Sequence, residues 1–228
     1  SAMPSTDLEH WQAAQIPDAA VLPGSRVRLE RLDPARHGDD LWQALHGADA
    51  DPQMWTYMGY GPFASHADFT QWLNSLGAAR DSVFYAVIAN SSDQALGLLS
   101  YLNICPAHGS IEIGHVCFGH ALQRSTLASE TVYLLARYAF ELGNRRLEWK
   151  CDNANLRSKR AAERFGFSYE GLFRQHLIRK GRNRDTAWFS LLDHEWPAQQ
   201  RAFERWLAAD NFTEQGQQRQ RLQDLREH

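Results

Sequence analysis

The stretch "EIGHVCFGHALQRSTLASE" (residues 112–130) decides how the rest of the chain is read. It opens as a strand and closes in the first turns of a helix, so a strand here delivers the chain through a short loop into a helix N-terminus. Such a terminus presents backbone N–H groups without intrahelical acceptors and a partial positive charge, which suits phosphate oxygens. The loop offers Ser125, Thr126 and Ser129. Ordinary capping by Ser125 or Thr126 explains the same pattern, so this segment by itself leaves cap and ligand site both open.

Upstream, "SVFYAVIAN", "QALGLLSYLNIC" and "GSIEIGHVCFG" are apolar runs separated by "SSD" and "PAHG". Turn residues between such runs predict a three-strand meander. "RVRLERLD" (residues 26–33) predicts an earlier strand ended by Asp33-Pro34, and two helices follow, centred on "HGDDLWQALHG" and on "SHADFTQWLNSLGAA" with Ser65 as N-cap. Between those helices lies the aromatic loop "MWTYMGYGPF". Residues 1–24, with Pro4, Pro17, Pro23 and Gly24, read as a flexible lead-in, and Ser1-Ala2 ahead of Met3 has the look of a cloning remnant.

Downstream, Val132, Leu135, Ala136, Ala139 and Phe140 fall at helical spacing in a run that stops at Gly143. "RRLEWKC" is a short strand, and "NLRSKRAAERFGF" a short helix closed by Gly166 in the C′ position. The first turn of that helix is polar, with Asn155 and Ser158 on the face that Ala161, Ala162 and Phe165 otherwise make apolar. "FSYEGLFRQHLIR", a "KGRNRD" turn and "TAWFSLLDHEW" predict a long hairpin. The segment 197–228 is a polar, helical C-terminal extension with Phe203, Trp206 and Leu207 as a docking stripe. The element order β, α, α, three strands, α, β, α, two strands predicts a mixed α+β fold with one βαβ crossover.

The totals limit the partners. A net charge of −3 and a pI near 6.3 give no global attraction to nucleic acid or membrane. Cys105, Cys117 and Cys151 are too few and scattered for a disulfide framework or a zinc site, and no other grouping suggests a metal. No apolar run nears the roughly 18 residues of a membrane helix, and no secretory signal stands at the start. A cytoplasmic setting is the expectation.

From Arg26 to about Trp196, the chain resembles the GNAT acyl-CoA N-acyltransferase superfamily, most of all its RimJ/RimL-like branch. The resemblance rests on "IEIGHVCF", on "QRSTLA" in the place of the family's Q/R-x-x-G-x-G/A loop, on "NLRSKRAAERFGF", on the aromatic "LWQAL…MWTYMGYGPF" and on "GRNRDTAWFSLLDHEW". It implies an acyltransferase domain over residues 25–196. The sheet would be mostly antiparallel and flanked by helices, with a V-shaped splay between its fourth and fifth strands, here "EIGHVCF" and "RRLEWKC". It further implies acetyl-CoA as co-substrate and no metal. The pantetheine arm would lie along Val116, Cys117 and Phe118, and near Asn155. The pyrophosphate would rest on N–H groups of Arg124, Ser125, Thr126, Leu127, Ala128 and Ser129. One departure is visible: Thr126 and Ala128 stand at the family's small positions, and threonine has less backbone freedom than glycine.

Acyl transfer to an amine needs a deprotonated amine, a polarised carbonyl and a proton for the leaving thiolate. The resemblance makes Glu112 the first candidate base, directly or through water, and His115 the alternative; a solvent-facing strand glutamate is the competing reading of Glu112. Ala162 occupies the place of the wider family's tyrosine acid, which leaves Ser158 as the hydrogen-bonding candidate near the sulfur. Trp55, Tyr57 and Phe63 are candidates for the acceptor pocket wall, or for a core plug. The expected partner is an amine, small or a protein N-terminus, with a homodimer allowed. The competing functions are a CoA-binding or sensing module without turnover, and an RNA- or ribosome-contacting protein using the basic hairpin.

Overall fold

The structure is a computed structural model describing residues 7–123 and 125–226. Eight strands form one sheet in the order β1-β2-β3-β4-β5-β6-β8-β7. They are β1 (Val21–Pro23), β2 (Val27–Arg31), β3 (Val83–Ala89), β4 (Ala95–Cys105), β5 (Ser110–Phe118), β6 (Arg146–Asp152), β7 (Ser168–Arg179) and β8 (Arg182–Leu192). Every pairing is antiparallel except β5–β6. That exception follows from the crossover through α3 (Thr126–Glu141). The splaying pair is thus the fifth and sixth strands rather than the fourth and fifth, because β1 adds a strand inside the stretch read as lead-in.

Each face of the sheet carries its own core. On one side, α3, α4 (Leu156–Arg164) and α5 (Trp196–Leu207) bury Leu29, Tyr85, Tyr101, Ile111, Leu147, Phe189 and Phe203. On the other, α1 (Pro34–His46), α2 (His66–Gly77) and the aromatic loop bury Leu41, Leu45, Trp55, Phe69, Phe84 and Leu98. Strand alternation separates the two sets, as period-2 side chains must.

The caps are those that the sequence predicts. Ser65 Oγ accepts from the N–H of Asp68 at 3.1 Å, Ser125 Oγ from Ala128 at 3.3 Å and Asn155 Oδ1 from Ser158 at 3.2 Å. Gly166, at φ +93°, ends α4 with its N–H on Glu163 O and that of Phe167 on Ala162 O, a Schellman closure.

Two expectations are corrected. The lead-in is not loose over its described part: Trp11 Nε1 donates to Ala107 O at 3.0 Å, the Gln15 N–H to Leu142 O at 2.8 Å, and Tyr85 Oη to Ala19 O at 2.8 Å. Nor is "KGRNRD" a turn. The turn is Lys180-Gly181 alone, with both φ values positive as a two-residue I′ hairpin requires, and residues 182–185 already belong to β8. Arg184 is therefore an interior strand residue, 7% exposed, rather than a solvated turn charge.

Candidate active site

The site begins at a bulge. Ser100 pairs with Gly114 and Leu98 with Cys117, so β5 carries one residue more than β4 across this step. His115 takes up the excess at φ +51°. A bulge bends and over-twists its strand. Below it, residues 110–113 of β5 pair in register with residues 146–149 of β6; above it β6 pairs with β8 alone. The two parallel strands part there, leaving one edge of residues 114–118 without a strand neighbour.

The bulge also shifts the alternation, so that Cys117 turns into the α1/α2 core while Ile113 stays in the other. Burial pushes the Cys117 thiol up to about 12. Val116 and Phe118 are half-buried, and Gln123 Nε2 donates to Phe118 O at 3.1 Å.

At the far end of the cleft stands α3. Thr126 is not among the positive-φ residues; it is the first residue of the helix proper, so the position asks for no glycine. Ser125 is the N-cap, its hydroxyl donating to Leu122 O at 2.6 Å while accepting from Ala128. Thr126, Leu127 and Ala128 are half-buried in the first turn. Ser129 points inward, 2% exposed, and its Oγ accepts from Arg164 Nη1 at 2.7 Å. Arg124 lies outside the described residues.

The vertex of the splay holds an ion pair. Glu112, 1% exposed, accepts from Lys150 Nζ through Oε2 and from Asn103 Nδ2 at 2.8 Å through Oε1. The solvent-facing reading of Glu112 is thereby overturned, since β4, β6 and the bulge enclose it. Lys150 lies 5.3 Å from the ring centroid of Trp188 on β8. His115 Nδ1 and Tyr60 Oη share a 2.8 Å hydrogen bond, and their rings stack at 5.9 Å. Burial first, then Lys150, push the His115 pKa below its ordinary value, with Glu112 opposing. Burial raises that of Tyr60, so the phenol keeps its proton.

The aromatic loop roofs this vertex. Lys180 Nζ donates to Trp55 O at 2.8 Å and Gly61 O at 2.7 Å, Tyr57 Oη donates to Ala154 O at 3.2 Å, and Arg179 packs against Gly59 so closely that a Cβ there would meet Nη1 at 2.0 Å. The Trp55 side chain, 1% exposed, belongs to the core plug and offers no surface to an acceptor. Phe63 shares that cluster, half-buried against His46, Trp55, Phe69 and Trp72. Tyr57 bridges to the β6–α4 loop. The basic hairpin is likewise committed inward, through Lys180, Arg179 and Arg184.

Ser158 lies on the opposite side of β6. Its Oγ accepts from Trp149 Nε1 at 3.1 Å and lies beside Cys151, whose pKa burial raises and the Ser158 hydrogen bond lowers. Ala162 is wholly buried. The residues that sequence reasoning missed are Lys150, Tyr60 and Trp188; Arg179 and Arg184 were read as charges of the basic hairpin turn. The one local signal was a lysine between Trp149 and Cys151 in "LEWKC"; Tyr60 and Trp188 are brought in by contacts distant in sequence, to His115 and Lys150.

The profile of the acetyltransferase (GNAT) domain matches residues 26–168. The N-acetyltransferase p20 of Bacillus licheniformis is 30% identical over 151 residues, covering 64% of this chain and 84% of that protein. A GCN5-related N-acetyltransferase from Brucella melitensis superposes with a TM-score of 0.93 at 45% identity, covering 96% of this chain and 99% of that one. A GNAT-family acetyltransferase structure from Chromobacterium violaceum does so at 0.79 and 47%, covering 87% and 99%. Sequence profile and backbone lead to one assignment: this chain belongs to the GNAT family of acetyltransferases.

Proposed function

We propose that the protein moves an acetyl group from acetyl-CoA onto a primary amine by direct attack. The observation that carries this reading is the free edge of β5, running from the buried Glu112–Lys150 pair toward the first turn of α3. Backbone groups of residues 114–118 would hold the pantetheine arm as an added strand would, with Gln123 free to release Phe118 O. The N–H groups of Thr126 and Leu127, with Ala128 beside them, would take the pyrophosphate, and Asn155 shapes the turn of α4 that borders the arm. Acetyl-CoA, when bound, supplies the activated acyl group and the thiolate leaving group.

His115 is the group that accepts the amine's proton. Burial and Lys150 keep it neutral near pH 7, as a base requires, while Glu112 offsets the charge it gains. Neighbouring cations also favour a neutral rather than a protonated amine. Ser158, on the α4 side of β6, would turn its O–H from Cys151 toward the departing sulfur where the arm passes between β5 and β6, a thiolate being a stronger acceptor than the Cys151 thiol. Cys117, protonated and fully buried, is no acyl carrier.

A second reading, a CoA-binding module without turnover, draws on Ala162, a buried methyl where relatives carry an acid. Thiol release from acetyl-CoA across a panel of amines and peptides separates the two. Stabilisation against heat by acetyl-CoA, but not by adenosine, is expected under both. His115→Asn, a residue tolerant of positive φ, is expected to lower kcat by about 10²-fold or more, and Glu112→Gln by about 10-fold. If these and Ser158→Ala all leave the rate intact, the assignment of roles is wrong.

A further inference from the structure

Arg184 lies on β8 beyond Trp188, 7% exposed, with Nε donating to Thr186 Oγ1 at 3.2 Å as its only side-chain hydrogen bond among the described residues. Among the described residues no carboxylate lies within ion-pairing distance of it. Arg179, half-buried, also has no ion-pair partner among the described residues; its Nε and the Trp188 Nε1 are two buried donors without an acceptor. Thr186 and Trp188 follow Arg184 at two-residue intervals along β8, so all three share the face on which Trp188 meets Lys150. The carboxylates nearby are committed elsewhere. Glu112 is held by Lys150 and Asn103, Asp152 accepts from the Ala154 N–H, and Asp185 accepts from Gln175 and Asn183.

The face beside the proposed acceptor position thus carries Lys150, Arg179 and Arg184 against the buried carboxylate of Glu112, which Lys150 already pairs, and the half-buried one of Asp152. Burial and the neighbouring Arg179 both disfavour the charge on Arg184, while Asp152 and Glu112 attract it only through space, without an ion pair. A fold retains such an arrangement where a ligand supplies the missing acceptor. What is missing is an anion rich in acceptor oxygens and free of donors, and a guanidinium takes a carboxylate through two parallel N–H bonds. Arg184 stands four residues along β8 from Trp188, which pairs with Lys150 across the ladder. At ~3.3 Å per residue this is about 13 Å of strand. The backbone of Arg184 is thus set along β8 from the vertex, and an anion on its guanidinium would lie several bonds from the reacting amine.

We infer that the acceptor is a primary amine that also carries a carboxylate several bonds away, and that Arg184, assisted by Arg179, selects it. This rests on the acetyl-transfer reading above and names the acceptor class within it.

The experiment compares pairs of amines differing only in charge. These are 4-aminobutyrate and 6-aminohexanoate against their amides, and tripeptides with glutamate or glutamine at the second position. The carboxylated member is expected to have a kcat/KM at least about 10-fold higher. Arg184→Gln is expected to bring that ratio toward one by raising KM for the carboxylated member, with Arg184→Lys partly restoring it. A purely structural Arg184 would lower Tm when replaced. The unpaired buried charge predicts instead that Arg184→Gln raises Tm by a few degrees. Equal rates for charged and neutral partners, or an equal proportional loss in the variant, would overturn the inference. If no amine is acetylated, the acetyl-transfer reading fails, and calorimetric binding of the same carboxylates, dependent or not on Arg184, still decides this one.

Discussion

Two histidines show how burial becomes pH sensitivity. His46 Nε2 accepts from the Phe63 N–H at 3.0 Å, which places the proton on Nδ1, a buried atom without a partner. Trp42 stacks on the ring at 4.4 Å, and Trp55 and Phe69 enclose it. Burial lowers its pKa, as burial and Lys150 lower that of His115. The unfolded chain binds protons at both sites near the ordinary value of about 6.5, whereas the fold resists. Stability is therefore complete above that value and declines as pH falls from it toward the depressed folded values. Between pH 7 and pH 5 the wild-type Tm is expected to drop by several degrees more than that of His46→Phe, which cannot charge. Parallel pH slopes in thermal melts would remove His46 from the account. His115 adds a kinetic limb: kcat is expected to fall in acid at a lower pH than an ordinary imidazole would set, since burial and Lys150 oppose its protonation.

At the scale of elements, the termini of helices and strands are where sequence decided most. Ser65, Ser125, Asn155 and Gly166 were legible because capping is local chemistry, and the meander was legible because its turns are short and polar. Replacing Gly166 by Ala forces a side chain into φ +93° and is expected to cost about 1 to 2 kcal/mol. The neighbouring atoms belong to the flexible Gln199 side chain, so strain rather than collision sets the loss, and Gly166→Asn should be milder in denaturant titrations. Glu112 and His115 were legible from the strand ahead of the α3 loop. Arg184 was not, because alternating Arg-Asn-Arg-Asp reads as a solvated turn, whereas the residue lies inside β8 and is buried there. The lead-in was misread because its partners, Ala107, Tyr138 and Leu142, lie far along the chain. The roof can be tested as an element. Lys180→Ala removes both of the bonds holding residues 55 and 61, so amide exchange in residues 51–63 should quicken and the acceptor KM rise several-fold. The KM for acetyl-CoA should move little.

For the whole molecule, α3 is the element through which the two ends of the chain bear on the cleft. Glu130 on α3 accepts from the N–H groups of Arg26 and Val27 and from Ser25, fixing the start of β2. On its other flank α5 lays Phe203 against Tyr133 and Phe165, with Trp196 stacked on Phe140. The C-terminal segment is in this sense part of the core, and Phe203→Ala should cost about 3 to 5 kcal/mol as other buried aromatic truncations do. The change lies behind α3 rather than at its first turn, so affinity for acetyl-CoA should survive it. A ligand that binds only the folded state adds RT ln(1 + [L]/Kd), about 2.7 kcal/mol at one hundred times Kd. Acetyl-CoA at that excess should therefore recover more than half of the smaller loss, and raise the Tm of wild type and variant by similar free energies. Melting curves with and without acetyl-CoA measure both. A variant that melts low and gains nothing would mean that α3 transmits packing into the cleft, and a wild type that gains nothing would mean that the β5 edge is not where acetyl-CoA binds.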